Sequence, residues 1–202
     1  MSFLSYENFI DPILRNIRQL VPGFSGMKAG DRVLDVCCGT GAQVFEYARR
    51  GILATGIDKE KSMLRVALEN KDKLNSENAS FCLADATALP FDDNTFDYVS
   101  VSFGLHEKER DVRDKVVSEM KRAVRREGHL IFIDYRVPLP KNIWALSARA
   151  IEFIAGGSHY RGFKDYINNG GLETILAKNS LVKEKETCVK SGIALIVKAR
   201  AY

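Results

Sequence analysis

Residues 33–41 read Val33-Leu34-Asp35-Val36-Cys37-Cys38-Gly39-Thr40-Gly41. A mostly apolar run, 32–37, reads as a buried strand and leads straight into a Gly-x-Gly turn. A helical pattern over 43–50 follows, closed by Gly51. Glycine lets the backbone turn sharply and approach a ligand closely. The helix that follows offers backbone N–H groups without intrahelical partners. The next predicted strand, 52–57, runs into Asp58, an acid placed to accept hydrogen bonds from both hydroxyls of a ribose. Asp58 lies nineteen residues after Gly39, the spacing expected within one strand–helix–strand unit.

The alternation continues outward. The pattern predicts a helix over 61–71, strands over 79–84 and 96–102, a charged helix over 107–126 stopped by Gly128, and a strand over 129–135. Such alternation argues for a parallel sheet with right-handed crossovers. Upstream, Phe9, Ile10, Ile13, Leu14, Ile17, Leu20 and Val21 recur at helical spacing, and Pro22-Gly23 is expected to end that helix. Downstream, Pro138 and Pro140 break the rhythm before an apolar segment, 143–154. Glycine pairs at 156–157 and 170–171 punctuate two more helical pieces. Strand-like runs at 181–189 and 193–199, joined by Ser191-Gly192, read as an antiparallel hairpin.

The chain has 202 residues, which suits one domain. Its expected parts are a helix and loop (1–29), a ligand-binding core (30–136), a substrate or lid insertion (137–180) and a closing hairpin (181–202). Apolar residues make up 46%, enough for a proper core. The net charge of +4 is mild and its residues are scattered, unlike the one-sided basic face of a dedicated nucleic-acid binder. The one cluster, Lys121, Arg122, Arg125 and Arg126, reads as a solvated helix end, where cations suit the dipole. No secretory pattern opens the sequence, and no run approaches the ~20 apolar residues of a membrane span. The spacing of Cys37, Cys38, Cys82 and Cys188 fits neither a zinc site nor a disulfide framework. A cytoplasmic protein with reduced thiols and no metal site is expected.

Two cofactor classes compete for the turn. A dinucleotide site wants a third glycine so that its helix can pack close, and Val44 stands there. A sulfonium cofactor has no phosphate and rewards an acid near the turn, which Asp35 supplies.

Here the sequence resembles the class I S-adenosylmethionine-dependent methyltransferases. Their first motif runs acid-x-Gly-x-Gly-x-Gly, and residues 35–41 match it with Cys37 in place of the first glycine. The Cys-Cys-Gly-Thr-Gly form resembles the branch that C-methylates ubiquinone and menaquinone precursors. Asp58-Lys59-Glu60-Lys61-Ser62-Met63-Leu64 resembles the second motif, Ala84-Asp85-Ala86 with Leu89-Pro90-Phe91 the third, and Asn94-Thr95-Phe96-Asp97 the opening of the fourth strand. Phe103-Gly104-Leu105 is again similar to the quinone-precursor branch, and Arg126-Glu127-Gly128-His129-Leu130 resembles the turn into the fifth strand. The likeness covers roughly 30–136.

The resemblance implies an α/β, Rossmann-like, doubly wound seven-stranded sheet of order 3-2-1-4-5-7-6 with the last strand antiparallel. It implies S-adenosyl-L-methionine as cofactor and a small-molecule methyl acceptor, aromatic or quinone-like. Cofactor contacts are expected from Asp35, Cys37, Gly39, Thr40, Gly41, Asp58, Lys59, Met63, Asp85, Ala86 and Ser102. Asp35 would orient the amino-acid end, Asp58 the ribose, and Asp85 the adenine amino group, with Met63 packing near the ring. Asp97 reads as structural.

Methyl transfer is an in-line displacement whose leaving group is a neutral thioether, so the cofactor carries the hard chemistry. A base is needed only where the acceptor must lose a proton. His106, His159 and Tyr160 are the candidates, with His106 at the carboxyl edge of the fourth strand. The quinone-precursor branch typically has Arg there, so His106 departs from it. The segment 157–163, Gly-Ser-His-Tyr-Arg-Gly-Phe, reads either as a mobile lid or as a solvated loop. The apolar stretch with Trp144, Leu146, Ile151, Phe153 and Ile154 reads as a packing helix or the wall of an apolar pocket.

Competing functions find less support. Exocyclic-amine methyltransferases of nucleic acids carry Asn/Asp-Pro-Pro-Tyr/Phe after the fourth strand, where this chain reads Ser102-Phe103-Gly104-Leu105. Pyrimidine C5 enzymes use Pro-Cys, which is absent. Val44 and the closing hairpin disfavour a dehydrogenase. A non-catalytic cofactor-binding module stays open, because methyl transfer needs no universal catalytic residue.

Overall fold

The computed structural model describes residues 11–201, with side chains from Leu14 onward. The part of the first helix expected before Asp11 lies outside these residues. In chain order the elements are α1 (Asp11–Ser25), β1 (Arg32–Val36), α2 (Ala42–Ala48), β2 (Leu53–Asp58), α3 (Lys61–Leu74), β3 (Ala79–Leu83) and β4 (Phe96–Ser102). They continue with α4 (Arg110–Ala123), β5 (Val124–Tyr135), α5 (Ile143–Ala155), α6 (Gly157–Asn168), α7 (Gly171–Lys178), β6 (Leu181–Val189) and β7 (Ala194–Ala201).

The seven strands form one sheet, ordered β3-β2-β1-β4-β5-β7-β6. β1 through β5 pair in parallel, while β7 runs antiparallel to both β5 and β6. This is the order the sequence resemblance implied. Side chains alternate across the sheet with period two. Leu34 and Val36 of β1 and Leu130 and Phe132 of β5 pack on one face with Val116, Met120, Tyr166 and Leu176. Val33, Ile131 and Ile133 pack on the other with Ile17, Val21, Phe45 and Ala148. Helices therefore cover both faces, and the parallel strands bring β1, β2 and β4 to a common carboxyl edge.

Three expectations need correction. The first helix does not stop at Pro22; it runs on to Ser25. A helix-interior proline has no N–H for the carbonyl four residues back, here that of Arg18. Gln43 Nε2 of α2 donates to that oxygen instead, at 3.4 Å, so the neighbouring helix fills the gap.

The fourth helix ends at Ala123 instead of Arg126, and β5 begins at once. The backbone amides of Asn94 and Thr95 take the carbonyls of Arg122 and Ala123 at 2.9 Å each. Val124 is then free to pair with Phe96. Gly128 is thus no helix stop. A Cβ there would lie 2.6 Å from the Asp97 carbonyl oxygen, so glycine permits a close strand approach where the β4–β5 register shifts. The basic cluster is correspondingly engaged: Lys121 donates to Asn179 O, Arg122 pairs with Glu119 and Asp93, and Arg125 pairs with Asp97. Asp97 also accepts the Arg32 amide at 2.8 Å, the structural role expected of it.

The segment 157–163 is not a loop; it forms the first half of α6. Gly162 sets that helix against the β4–α4 connection. Arg113, 3% exposed, bridges the parts, donating to Leu105 O, Gly162 O and Asp165.

A Cβ on Gly162 would lie 2.3 Å from the Glu107 carbonyl oxygen, whereas one on Gly23 meets nothing closer than 3.8 Å. Gly162→Ala is expected to cost ~1–3 kcal/mol through overpacking. Gly23→Ala, inside α1, should be neutral or stabilise by up to about 1 kcal/mol. Urea-unfolding midpoints of the two variants against the parent check both signs.

Candidate functional site

The glycine-rich turn joins β1 to α2 with three residues in the left-handed region: Cys37 (φ 59°), Gly39 (φ 55°) and Gly41 (φ 79°). A non-glycine residue costs roughly 1–2 kcal/mol there, and Cys37 occupies the position where the resembled motif has its first glycine. The turn is held from β2. Cys38 N donates to Ile57 O and Gly39 N donates to Asp58 Oδ2, both at 2.9 Å. Asp58 Oδ1 accepts from Glu60 N at 2.9 Å. A carboxylate has about four lone-pair sites, so Asp58 ties down the turn and can still accept ribose hydroxyls. Gly41 is required twice, because a Cβ would also lie 2.5 Å from the Phe81 ring.

Asp35 lies one residue before the end of β1 and is 1% exposed. Burial raises its carboxyl to a pKa of about 7, against the Ser100 hydrogen bond and the nearby charge of Arg18, which act to lower it. Ser100 Oγ donates to Asp35 Oδ1 at 2.6 Å. A narrow cleft over the turn is lined by residues that include Leu14, Arg18, Asp35, Gln43, Ser102 and Phe103, with Cys37, Gly39 and Thr40 of the turn itself. Gln43 Oε1 is buried there without a hydrogen-bond partner among the described residues. The cleft holds only about 30 Å³, far below the ~300 Å³ at which small-molecule pockets begin. Leu14 and Arg18 of α1 and Phe103 after β4 are among its walls. A larger hollow of about 230 Å³ is lined by Arg32, Leu53, Thr55 and Glu77 and is remote from the turn.

The other expected contacts spread along the same edge. Lys59 is exposed, Met63 half-buried in the first turn of α3, and Ala86 buried. Asp85 Oδ1 accepts both the amide and the hydroxyl of Thr87 at 2.8 Å. These bonds hold its carboxyl below the usual range. Cys37 and Cys38 are unsuited to nucleophilic work, since burial pushes the Cys37 thiol up to about 11 and the Cys38 thiol further. Gly104 packs onto Cys37, with a Cβ there 3.0 Å from Cys37 Cβ.

His106 is not a surface residue; it is 4% exposed. It sits beyond β4 in a cluster that the sequence pattern did not assemble. Its Nδ1 lies 2.7 Å from Asp134 Oδ1 and its Nε2 lies 3.4 Å from Glu152 Oε1. Asp134 also accepts the backbone amide of His106. His159 of α6 stands beside it, with Nδ1 2.9 Å from Glu152 Oε2 and Nε2 2.8 Å from Glu107 Oε2. Burial opposes protonation of His106, but Asp134 and Glu152 outweigh it and carry its pKa up to about 10. Tyr160 is turned elsewhere, edge-on to Phe153 with Lys164 over its ring. Sequence reading missed Arg18, Gln43, Ser100, Asp134 and Glu152. Asp134 had a legible signal, a carboxylate inside an otherwise apolar strand, which is costly unless paired.

A family model described as a methyltransferase domain matches residues 27–179. The chain belongs to that methyltransferase family. A demethylmenaquinone methyltransferase of Bacillus cereus is 30% identical over 180 residues, covering 75% of this chain and 74% of the relative. One from Renibacterium salmoninarum is 37% identical over 126 residues, covering 61% of this chain but only 49% of that relative. A solved S-adenosylmethionine-dependent methyltransferase from Aquifex aeolicus shares the fold, with a TM-score of 0.71 at 21% identity over 90% of this chain and 88% of that one.

S-adenosylmethionine is the methyltransferase's cofactor, and the residues present fit it. The unpartnered Gln43 Oε1 and the Asp35 carboxyl suit an ammonium, and Arg18 suits a carboxylate. Asp58 would hold the ribose and Asp85 the adenine edge. When bound, the cofactor supplies an electrophilic methyl carbon and a neutral leaving group. No helix among the described residues is long and apolar enough to cross a membrane.

Asp35 makes stability depend on pH. Its folded pKa is raised from 3.8 to about 7, so the unfolded chain gives up this proton first as pH rises. The Asp35 contribution to stability is therefore expected to fall between about pH 4 and 7 by up to roughly 4 kcal/mol, at ~1.4 kcal/mol per unit, and to level off above, where the raised pKa of His106 continues the decline. Urea titrations across that range should show Asp35→Asn losing less than the parent.

Proposed function

We propose that this methyltransferase acts on a small aromatic, quinol-like acceptor, methylating ring carbon. The observation that carries the reading is the 30% identity over 180 residues to a demethylmenaquinone methyltransferase. An apolar ridge supports it: Ile143, Leu146, Phe153 and Ile154 of α5 are each at least 66% exposed, beside the His106–Glu152 cluster. An acceptor with an apolar tail would match such a surface better than a polar metabolite. A nucleic-acid acceptor is disfavoured because three of the four residues in the basic cluster, Lys121, Arg122 and Arg125, are engaged within the chain. The same proposal places the protein in the cytoplasm as one methyltransferase domain over 1–202.

The catalytic roles proposed for His106 and Tyr160 draw unequal support. His106 follows the carboxyl edge of β4, with its ring 6.4 Å from that of Phe103, a residue lining the cleft. Tyr160 has only its packing on Phe153 and Lys164. For ring methylation the protein's work is to hold the acceptor in line and accept a hydroxyl proton. His106, flanked by two carboxylates, accepts that proton only after its own has been handed on.

The test is transfer of labelled methyl from S-adenosylmethionine to a chemically reduced short-chain naphthoquinol, read by mass spectrometry. A product methylated on ring carbon is expected. Transfer to an oligonucleotide, or to no quinol while the cofactor binds, would overturn the acceptor. In the same preparation Asp58→Ala should weaken cofactor binding at least tenfold by calorimetry, since charge-assisted hydrogen bonds are lost. Unchanged affinity removes Asp58 from the site.

A further inference from the structure

We propose that His106, Glu152 and His159 form a binding site for a divalent transition-metal cation of the zinc class. The proposal rests on their arrangement and not on which acceptor is methylated; with Asp134 on Nδ1 and an ion on Nε2, His106 keeps no nitrogen free to take a proton, so the loaded site and the base role of His106 exclude each other. One donor atom from each residue falls within 4.8 Å of the others. His106 and Glu152 are 4% and 3% exposed, so this is an interior cluster and not a surface accumulation of acids.

The orientation of the two imidazoles is the stronger observation. Each has its outer nitrogen fixed by a carboxylate: Asp134 on His106 Nδ1 at 2.7 Å, and Glu107 on His159 Nε2 at 2.8 Å. Their inner nitrogens, His106 Nε2 and His159 Nδ1, both face Glu152, at 3.4 and 2.9 Å. Carboxylate–histidine pairs of this kind orient metal ligands and raise their basicity. Tyr135 Oη donates to Glu152 Oε1 at 2.9 Å, steadying the third ligand. Glu152 Oε2 and His159 Nδ1 are buried and close, yet neither has a partner in hydrogen-bonding geometry. They lie 2.9 Å apart, and His106 Nε2 completes a trio of donor atoms within 4.8 Å of one another.

The donor set narrows the ion to a first-row transition metal. Two imidazoles and one carboxylate suit zinc, with the fourth position left to water or an oxygen ligand. Magnesium and calcium require oxygen ligands. Atoms bound at ~2.0–2.1 Å to a tetrahedral ion lie about 3.3 Å apart, so the three donor atoms, now within 4.8 Å of one another, would draw in around the ion. His159 has 34% of its side chain exposed, which gives an ion a route in from solvent.

The test uses the full chain, freed of metal by chelation, titrated with Co²⁺ while the visible d–d absorption is recorded. One equivalent should produce a tetrahedral spectrum that Zn²⁺ displaces and Mg²⁺ does not. His159→Gln and Glu152→Gln should each weaken Co²⁺ binding at least a hundredfold. His129→Gln, a histidine paired with Glu184 on the far sheet edge, should leave it unchanged. Circular dichroism identifies any variant that fails to fold, and His159→Gln, at a partly exposed position, is the milder of the two. No visible band in the parent overturns the proposal, as does a near-ultraviolet thiolate band or a spectrum that survives His159→Gln.

Discussion

The amide of Gly39 donates to the carboxylate of Asp58 across two strand ends. That bond ties the glycine-rich turn to β2, across a turn whose Cys37, Gly39 and Gly41 are all left-handed. Phe81 then fills the space beneath Gly41, so β3 is registered against the same turn. On the other side the Gly104 backbone packs onto Cys37, bringing the β4 exit into contact. Four consecutive strands of the sheet thus converge on one loop, and Asp35, Asp58 and Asp85, the acids proposed to hold the cofactor, lie along their carboxyl edge.

Beyond that edge the polar residues divide into two groups. Around the turn, Asp35 is held by Ser100 with Arg18 and Gln43 near it, a set matched to the amino-acid end of S-adenosylmethionine. Around His106, two histidines alternate with three carboxylates in a nearly closed interior cluster. Phe103 stands between the groups, lining the cleft and packing edge-on to His106 and Tyr135. Reading the two groups as cofactor side and acceptor side requires no residue to serve both.

Much of this was legible in the sequence, because the decisive features are local. A buried strand, a glycine turn and an acid nineteen residues on are all encoded within one βαβ unit. The order of the outer strands was accessible only through family resemblance, since hydrophobic periodicity carries no information about which strands are neighbours. The failures share a different cause, tertiary hydrogen bonds that override local signals. Pro22 does not end α1 because Gln43 occupies the position of the missing donor. Arg125 and Arg126 are strand residues because Asn94 and Thr95 capture the preceding helix carbonyls. The segment 157–163 is helical because Gly162 and Arg113 dock it. The His106 cluster joins residues up to 53 positions apart in the chain, from His106 to His159. No spacing rule could have assembled it, although Asp134 stood out as a charge within a buried strand.

The bond from Gln43 to the Arg18 carbonyl has a consequence for how this sequence can change over time. Replacing Pro22 with an ordinary residue restores the helix's own donor and leaves the Gln43 amide with a rival. Replacing Gln43 while Pro22 remains strands a buried carbonyl. Each substitution therefore alters the selective value of the other. Positions 22 and 43 should be inherited as a pair, drifting together among descendants of this gene even though Pro22 lies outside the cleft that Gln43 lines.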